Sequence, residues 1–548
     1  MRKQFIIAGE EGGPISNKLG GIWEVMDAEA SVLARLAASK DGEDMDIYIA
    51  GPFFPSKEDD WSMKRRVTRL EYEKLPSLEI ADAEVHRMRR VVEGKDVVYY
   101  LFDTSGYTRG APPMSNIIKA EAYKLFGLDS LKYEKKHYGR EYDHYLHLSY
   151  VVSEFARQLL SRGEVSLHCH EYSIFYAGAR LKRLGVRVKC IATYHGTKVG
   201  RAYGARVLER IAARDGAWPS AIEEGLAELE GLARHFDTVT FVGDSTRSEG
   251  RLFYGVDGTT VRNGINIERD FIDWDKKEAC RRRIQEFLTE RISKVYGLEL
   301  NSKNLIPMYT VSRTELENKG YLDLLDAMVI YDRVLFNHIK GGELDEDTRA
   351  ICLLITAQAP KEKLPDTFPV SLDGVVLESG ENKLNAMIQL HELGIDKMAD
   401  ERRVAAALLY PQWVGRNDGA FGMNLDEIAA GCIAGIFPSR YDPFLLTGLE
   451  AAKEGTPVVV SRVCGFSDAV YEYIKRKGFA GGVEIVDNIN LPYIEAVADY
   501  STALYTITEV YLKDMNKYKM MCSEAFRLAE GMGWEEPVRE YLRLLGDA

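Results

Sequence analysis

Apolar residues in this chain gather into short runs rich in β-branched and aromatic side chains, separated by charged stretches with helical spacing. In the first half the runs are "QFIIAGE", "MDIYIAGPFF", "VVYYLFD", "VSLHCH", "VKCIATYH" and "TVTFVGD". Runs this short, with few polar interruptions, read as strands buried on both faces. Between the first two lies a helical pattern, Ile22–Ala37, in which Ile22, Val25, Met26, Leu33 and Leu36 share one face and Glu29 interrupts it. "WPSAIEE" opens another helix, with Ser220 and Glu223 spaced as a capping box. The second half repeats the alternation with "LIPMYTVSR", "AICLLITAQ", "AALLYPQWV", "CIAGIFPS", "PVVVSRV" and "GVEIVD".

Strands alternating with helices predict an α/β protein with mostly parallel sheets, and the duplication predicts two Rossmann-like, doubly wound domains facing across a cleft. The charged, mainly helical stretch Asn263–Asn304, with "KKEACRRRIQEFLTERISKVYG", holds the expected crossing. The first domain is then 1–275 and the second 276–522, with a helical segment, 523–548, packing back on the first. Ligands of such sheets bind beyond the C-terminal ends of the strands, so the residues there carry the chemistry.

Composition narrows the field. A chain of 548 residues exceeds one hydrophobic core. Its net charge of −13 argues against nonspecific binding to nucleic acid or to an anionic membrane. The seven cysteines are scattered, without a CxxC pair, and most lie in apolar runs, which fits free thiols in a reducing compartment. No apolar run approaches the roughly 18 residues of a membrane span. The start "MRKQFIIAGEEGG" lacks the long apolar core of a signal peptide. A cytoplasmic location is expected, and a homo-oligomer is compatible with the composition.

Several strand ends carry candidate chemistry. In "SNKLGGIWEV", Lys18 precedes Gly20 and Gly21 at a helix start, where bare amides and a cation suit an anion; a plain glycine-rich loop is the alternative. In "SLHCHEY", His168 and His170 alternate and so point to one side of a strand. A metal site needs further ligands, and the spacing offers none; no metal is expected, and one packed and one hydrogen-bonded histidine is the simpler reading. His170 and Glu171 then stand at the strand end, towards a ligand. "ATYHGTKVGRAYG" ends another strand with His195, Lys198 and Arg201. "YTVSRTELENKGYLDLLDAM" sets Arg313 and Lys319 six residues apart ahead of a helix, a pair suited to a diphosphate. In "FPSRYDPFLLTGLEAAKEGTPVVVSR", Asp442 belongs to a turn, and Thr447 and Glu450 have the spacing of a capping box.

These motifs, with "NGINIERDF", "SRTELENKG" and "LDEIAAGCIAGIFPSRYDP", resemble the glycogen synthases of the animal and fungal type, in family order from Asn17 to about Ser461. Similarity is thin over Asp41–Leu160 and Pro360–Asp400. The resemblance implies the GT-B fold in a prokaryotic or archaeal family member. It implies metal-independent, retaining transfer of glucose from UDP-glucose or ADP-glucose to the end of an α-1,4-glucan. It gives Arg313 and Lys319 to the donor diphosphate and Lys18 with Gly20 and Gly21 to a donor loop. His170 and Asp442 fall to the transferred sugar, Glu450 to the ribose and Thr447 to the phosphate. Glu171, His195 and Arg201 remain candidate sugar contacts. The chain departs from the family in carrying Asp442 where Glu is usual, "FLLTG" in place of an aromatic- and glycine-containing segment, and no arginine-rich helix for a sugar-phosphate activator. Two alternatives follow: a retaining glycosyltransferase with a small sugar or sugar-phosphate acceptor, and a catalytically weak glucan-binding protein.

Overall fold

The computed structural model describes residues 2–11, 21–39, 44–53, 73–132, 139–203, 226–267, 269, 271–356, 364–416, 418–478 and 481–546. The chain divides into two compact units, Met1–Asn266 with Gly533–Ala548, and Ile267–Met532. The division at Asn266/Ile267 falls within the stretch expected to hold the crossing, ahead of the charged helix, Trp274–Tyr296, and not at 275/276. That helix is bound into the second unit: Lys277 Nζ donates to the Glu454 carbonyl at 3.1 Å and to Thr456 Oγ1 at 3.0 Å. The helix Met515–Glu530 also stays in the second unit, and the return to the first begins at Gly533, which bridges to Ile265.

The first unit has a nine-stranded sheet. Its strands are β1 (Lys3–Gly9), β2 (Met45–Pro52), β3 (Glu73–Ile80), β4 (Ala83–Val92), β5 (Lys95–Asp103), β6 (Glu164–His170), β7 (Val188–Tyr194), β8 (Thr238–Phe241) and β9 (Thr259–Thr260). Their order is β3-β4-β5-β2-β1-β6-β7-β8-β9, parallel except where β4 joins β3 and β5. The β3–β4–β5 meander has no counterpart among the expected strands except β5. β4 reads as charged, "AEVHRMRRVV", because only Ala83, Val85, Met88 and Arg90 are buried and the residues between them are polar. Its turn from β3 places Ala81 (φ 51°) and Asp82 (φ 64°) in the left-handed region, without the Asn-Gly signature that marks such hairpins.

The second unit has six parallel strands: β10 (Leu305–Ser312), β11 (Arg349–Thr356), β12 (Ala405–Tyr410), β13 (Ala434–Phe437), β14 (Val458–Ser461) and β15 (Val483–Val486). Their order is β12-β11-β10-β13-β14-β15. All six correspond to expected runs, and the central ones are almost wholly buried, as strands covered on both faces must be.

In both sheets the strand order reverses between two neighbours, β1 and β6 in the first unit and β10 and β13 in the second. The loops leaving such a pair diverge to opposite faces and leave room for a ligand. In the second unit these loops are stitched together. The Asn318 carbonyl accepts from the amides of Arg440 at 2.8 Å and Tyr441 at 3.1 Å. Gly320, at φ +64°, lies so close that a Cβ there would come within 1.9 Å of the Pro438 carbonyl oxygen. Gly320→Ala is therefore expected to lower the unfolding free energy by about 2 kcal/mol or more. Urea denaturation of the pure protein checks this; an unchanged midpoint would show that the two loops tolerate separation.

Candidate active site

The stitched loops bring the acid and the cation of the second unit together. Lys319 Nζ lies 2.7 Å from Asp442 Oδ2, and both side chains are largely buried, 16% and 14% exposed. The other oxygen, Oδ1, accepts from the Leu445 amide at 2.8 Å. This bond closes the turn three residues beyond Asp442 and holds Leu445 left-handed (φ 75°) immediately ahead of the helix Leu446–Lys453. The expected capping box is therefore absent. The helix begins one residue before Thr447, so Thr447 lies inside the first turn, and Leu445 in the cap position makes no side-chain bond. Glu450 follows one turn later and is half-buried. Arg313 leaves the end of β10 with its guanidinium 58% exposed and pairs with Glu315 at 2.9 Å. Arg440 is tied to Asp323 at 2.8 Å, which braces the same loop from behind.

Arg313, Lys319, Asp442, Thr447 and Glu450 thus belong to one corner of one unit, on the loops and helix that follow β10 and β13. Lys18 and Gly20 lie outside the described residues; Gly21 opens the first helix, Gly21–Ala38. The helix expected at Ser220 and Glu223 also lies outside them. The N-terminus of the first helix is held from the neighbouring loop, where Glu11 Oε2 accepts from the Trp23 amide at 3.0 Å.

In the first unit His170, Glu171, His195 and Arg201 meet beyond β6 and β7. His170 Nδ1 lies 2.8 Å from His195 Nε2. Glu171 accepts from the His195 amide, and its own amide donates to the Thr193 carbonyl at 2.9 Å. Glu171 adopts φ 73°, ψ 157°, a backbone region essentially open to glycine alone, at a cost of about 1–3 kcal/mol. Arg201 sits in the short helix Lys198–Tyr203, and its charge favours ionisation of Glu171. Lys198 Nζ lies 5.0 Å from the centre of the Tyr172 ring.

The histidine pair departs from the expectation of one packed and one bonded ring. Both are fully buried and both are bonded, to a residue that the helical pattern marked only as an interruption. Glu29 Oε1 lies 2.7 Å from His168 Nδ1, and Oε2 lies 2.9 Å from His170 Nε2. His168 Nε2 contacts Thr193 Oγ1 at 2.6 Å, which in turn meets Thr240 Oγ1 at 2.6 Å. Glu29, His168 and His170 are the one trio of potential metal ligands among the described residues. Each of their side-chain nitrogen and oxygen atoms already has a hydrogen-bond partner within the cluster or beside it. The His170 ring is enclosed, so any direct contact with a ligand falls to its backbone.

Burial sets the charges here. It alone would raise the Glu29 carboxyl, but interaction with His168 and hydrogen bonds from both rings outweigh it and hold the group down at about 2. Burial, followed by the neighbouring His168, lowers His170 to about 4, and burial drives His195 well below its usual range. Glu171 is pushed up to about 8, chiefly by burial, with Arg201 opposing. Glu230 is pushed up to about 7 by burial, against hydrogen bonds from Tyr254 and the Lys198 amide.

Comparison with known proteins bears on the family resemblance and the fold. Residues 368–542 match the glycogen synthase family model, a span that includes Asp442, Thr447 and Glu450. Isoform 2 of glycogen [starch] synthase from Saccharomyces cerevisiae is 22% identical over 96% of this chain and 84% of its own. The chain is similar to the glycogen synthases. The mouse liver glycogen [starch] synthase is 27% identical over a shorter stretch, 29% of this chain and 21% of its own. Among solved structures, the catalytic domain of starch synthase IV from Arabidopsis thaliana, bound to ADP and acarbose, superposes with a TM-score of 0.57 at 14% identity. It covers 100% of this chain and 99% of its own. A sucrose-phosphate synthase from Thermosynechococcus elongatus follows at 0.53 and 14%, covering 100% of both chains. The fold is GT-B.

The raised acids have a consequence for stability. A carboxyl with a native pKa above its unfolded value stabilises the fold fully below about pH 4.5 and loses that contribution as pH rises through the native value. His170 works in the opposite sense, but only below about 6.5. Between pH 6.5 and 8 stability is therefore expected to fall. Glu171→Gln keeps the carbonyl that accepts from His195 and should flatten the decline. Urea midpoints of both proteins across that range test it; parallel slopes would remove Glu171 as the source.

Proposed function

We propose that the chain is an α-1,4-glucan synthase. It transfers glucose from UDP-glucose or ADP-glucose to the non-reducing end of an α-glucan, with retention of configuration. The observation that carries this reading is the Lys319–Asp442 pair at the reversal of strand order, within a chain related to the glycogen synthases.

The chemistry follows from charge. As the glycosidic bond breaks, a nucleoside diphosphate departs and its negative charge grows. Lys319, the exposed Arg313 and the amides that open the helix Leu446–Lys453, with Thr447 among them, supply the compensating positive charge. These groups stand where another enzyme would use a metal ion, so the reaction is metal-independent. The sugar left behind is oxocarbenium-like, and a carboxylate beside it stabilises it. Asp442 takes that role. In the resting pair its charge is held by Lys319; donor phosphate competes for the ammonium, and the carboxylate is released to the sugar as the diphosphate is gripped. Glu450 takes the ribose hydroxyls. Glu171, His195 and Arg201 contact sugar on the first unit. No described helix is long and apolar enough to cross a membrane, and all seven cysteines are buried and unpaired, which supports action in the cytoplasm.

Nucleoside diphosphate release from UDP-glucose and from ADP-glucose, each with and without glycogen, tests the reading. Glycogen-dependent release with one donor is expected, and glucose 6-phosphate should leave its rate unchanged. Release indifferent to glycogen would point to a small acceptor, and glycogen binding without release to a glucan-binding protein. Lys319→Ala should lower kcat by about 10²–10³-fold. A loss confined to KM would show that Lys319 binds the donor without stabilising the transition state.

A further inference from the structure

Glu29 is a fully buried carboxylate on a helix face that is otherwise apolar. An ionised carboxylate only accepts hydrogen bonds, so both rings that touch it must donate, His168 from Nδ1 and His170 from Nε2. A neutral imidazole carries one ring proton. With that proton committed to Glu29, Nδ1 of His170 holds a lone pair, and the 2.8 Å contact to His195 must be filled by the Nε2–H of His195. The reverse polarity would require a second proton on His170, an added charge that its complete burial disfavours. His195, neutral for the same reason, is left with Nδ1 as an acceptor.

The three residues differ in access. Glu29 and His170 have no exposure, whereas His195 keeps 9%. Among the described residues no donor is bonded to His195 Nδ1. The ring stands just beyond the C-terminal end of β7, at the same edge of the sheet as Glu171 and Arg201. The inner end is sealed by the last helix, Glu535–Leu544, whose Tyr541 packs edge-on against His168 with ring centres 4.5 Å apart. A carboxylate that reaches His195 through His170 therefore dictates which nitrogen of the His195 ring carries the proton.

We propose that Glu29 is a positioning residue: acting through His170, it fixes the proton of His195 on Nε2, so that Nδ1 accepts a hydrogen bond from a hydroxyl of the sugar bound at that edge. The identity of the ligand rests on the glycosyltransferase reading; the proton assignment does not. The arrangement also selects, because a lone pair at this point welcomes a hydroxyl and repels a carbonyl or phosphate oxygen.

The test uses the full chain labelled with 15N-histidine. Long-range proton–nitrogen spectra read which ring nitrogen is protonated, and His195→Gln assigns the resonance by its disappearance. Near neutral pH, His195 is expected to be protonated on Nε2 alone, and maltopentaose should move its Nδ1 signal. Protonation on Nδ1, or averaging between the two nitrogens, would overturn the relay; an Nδ1 signal indifferent to maltopentaose would overturn the sugar contact. Glu29→Leu should let the two tautomers average and raise KM for the glucan about three- to tenfold, the loss of one neutral hydrogen bond, while kcat stays nearly constant. A tautomer that stays fixed in Glu29→Leu would remove Glu29 from the assignment. If Glu29→Leu does not fold, the spectrum of the unmodified protein still decides. If the unmodified protein releases no nucleoside diphosphate from either donor, the functional reading fails while the proton assignment stands on its spectra.

Discussion

Each unit depends on one constraint, the reversal of order between two adjacent parallel strands. A parallel pair cannot be joined by a tight turn, so the chain must cross over through a helix, and the hand of the crossover is set by strand twist. Where successive crossovers change direction, two strand ends lie side by side with their loops leaving on opposite faces. In the second unit those ends are Ser312 and Phe437, and the bonds from Arg440 and Tyr441 to the Asn318 carbonyl draw the loops into contact. Lys319 and Asp442, 123 residues apart, become neighbours as a result. Gly320 permits the approach because any side chain there would strike the backbone at Pro438.

The first unit applies the same constraint to a dry interior. Ionised groups in such surroundings are costly unless every lone pair and proton finds a partner. Glu29 meets that condition by accepting from two histidines, which pass the order on to His195 and to the Thr193 and Thr240 hydroxyls. Glu171, by contrast, is buried without a hydrogen-bonded cation and stays protonated further up the pH scale. Two buried carboxylates of one unit, Glu29 on a helix and Glu171 beyond a strand, thus have opposite protonation behaviour through their partners. The strained backbone of Glu171, one residue beyond the relay, lies where a ligand would be held.

Much of this was legible along the chain. The six strands of the second unit and six of the nine in the first appear as apolar runs, because a strand covered on both faces has no polar side to hide it. The β3–β4 hairpin escaped that reading, since β3 buries only Ile80, β4 carries charged residues between its buried ones, and the pair turns at Ala81-Asp82. The TGLE spacing pointed to a helix start but missed its register: Asp442, bonded to the Leu445 amide, starts the helix before Thr447. Glu29 left a faint signal, a charge in an apolar stripe. Its meaning depended on two histidines 139 and 141 residues away.

The sequence by itself determined the class of each element, the duplication of the domain and the kinds of side chain at the strand ends, because periodicity and turn chemistry are local. The family resemblance, carried by those same local motifs, supplied the roles expected of Arg313, Lys319 and Asp442. Only the tertiary structure decided that Lys319 and Asp442 pair directly, that Glu29 governs the protons of His170 and His195, and that the chain returns to its first unit at Gly533. Each of these is a contact between residues far apart in the chain, set by strand order and burial. None of these contacts leaves a period in the sequence to read.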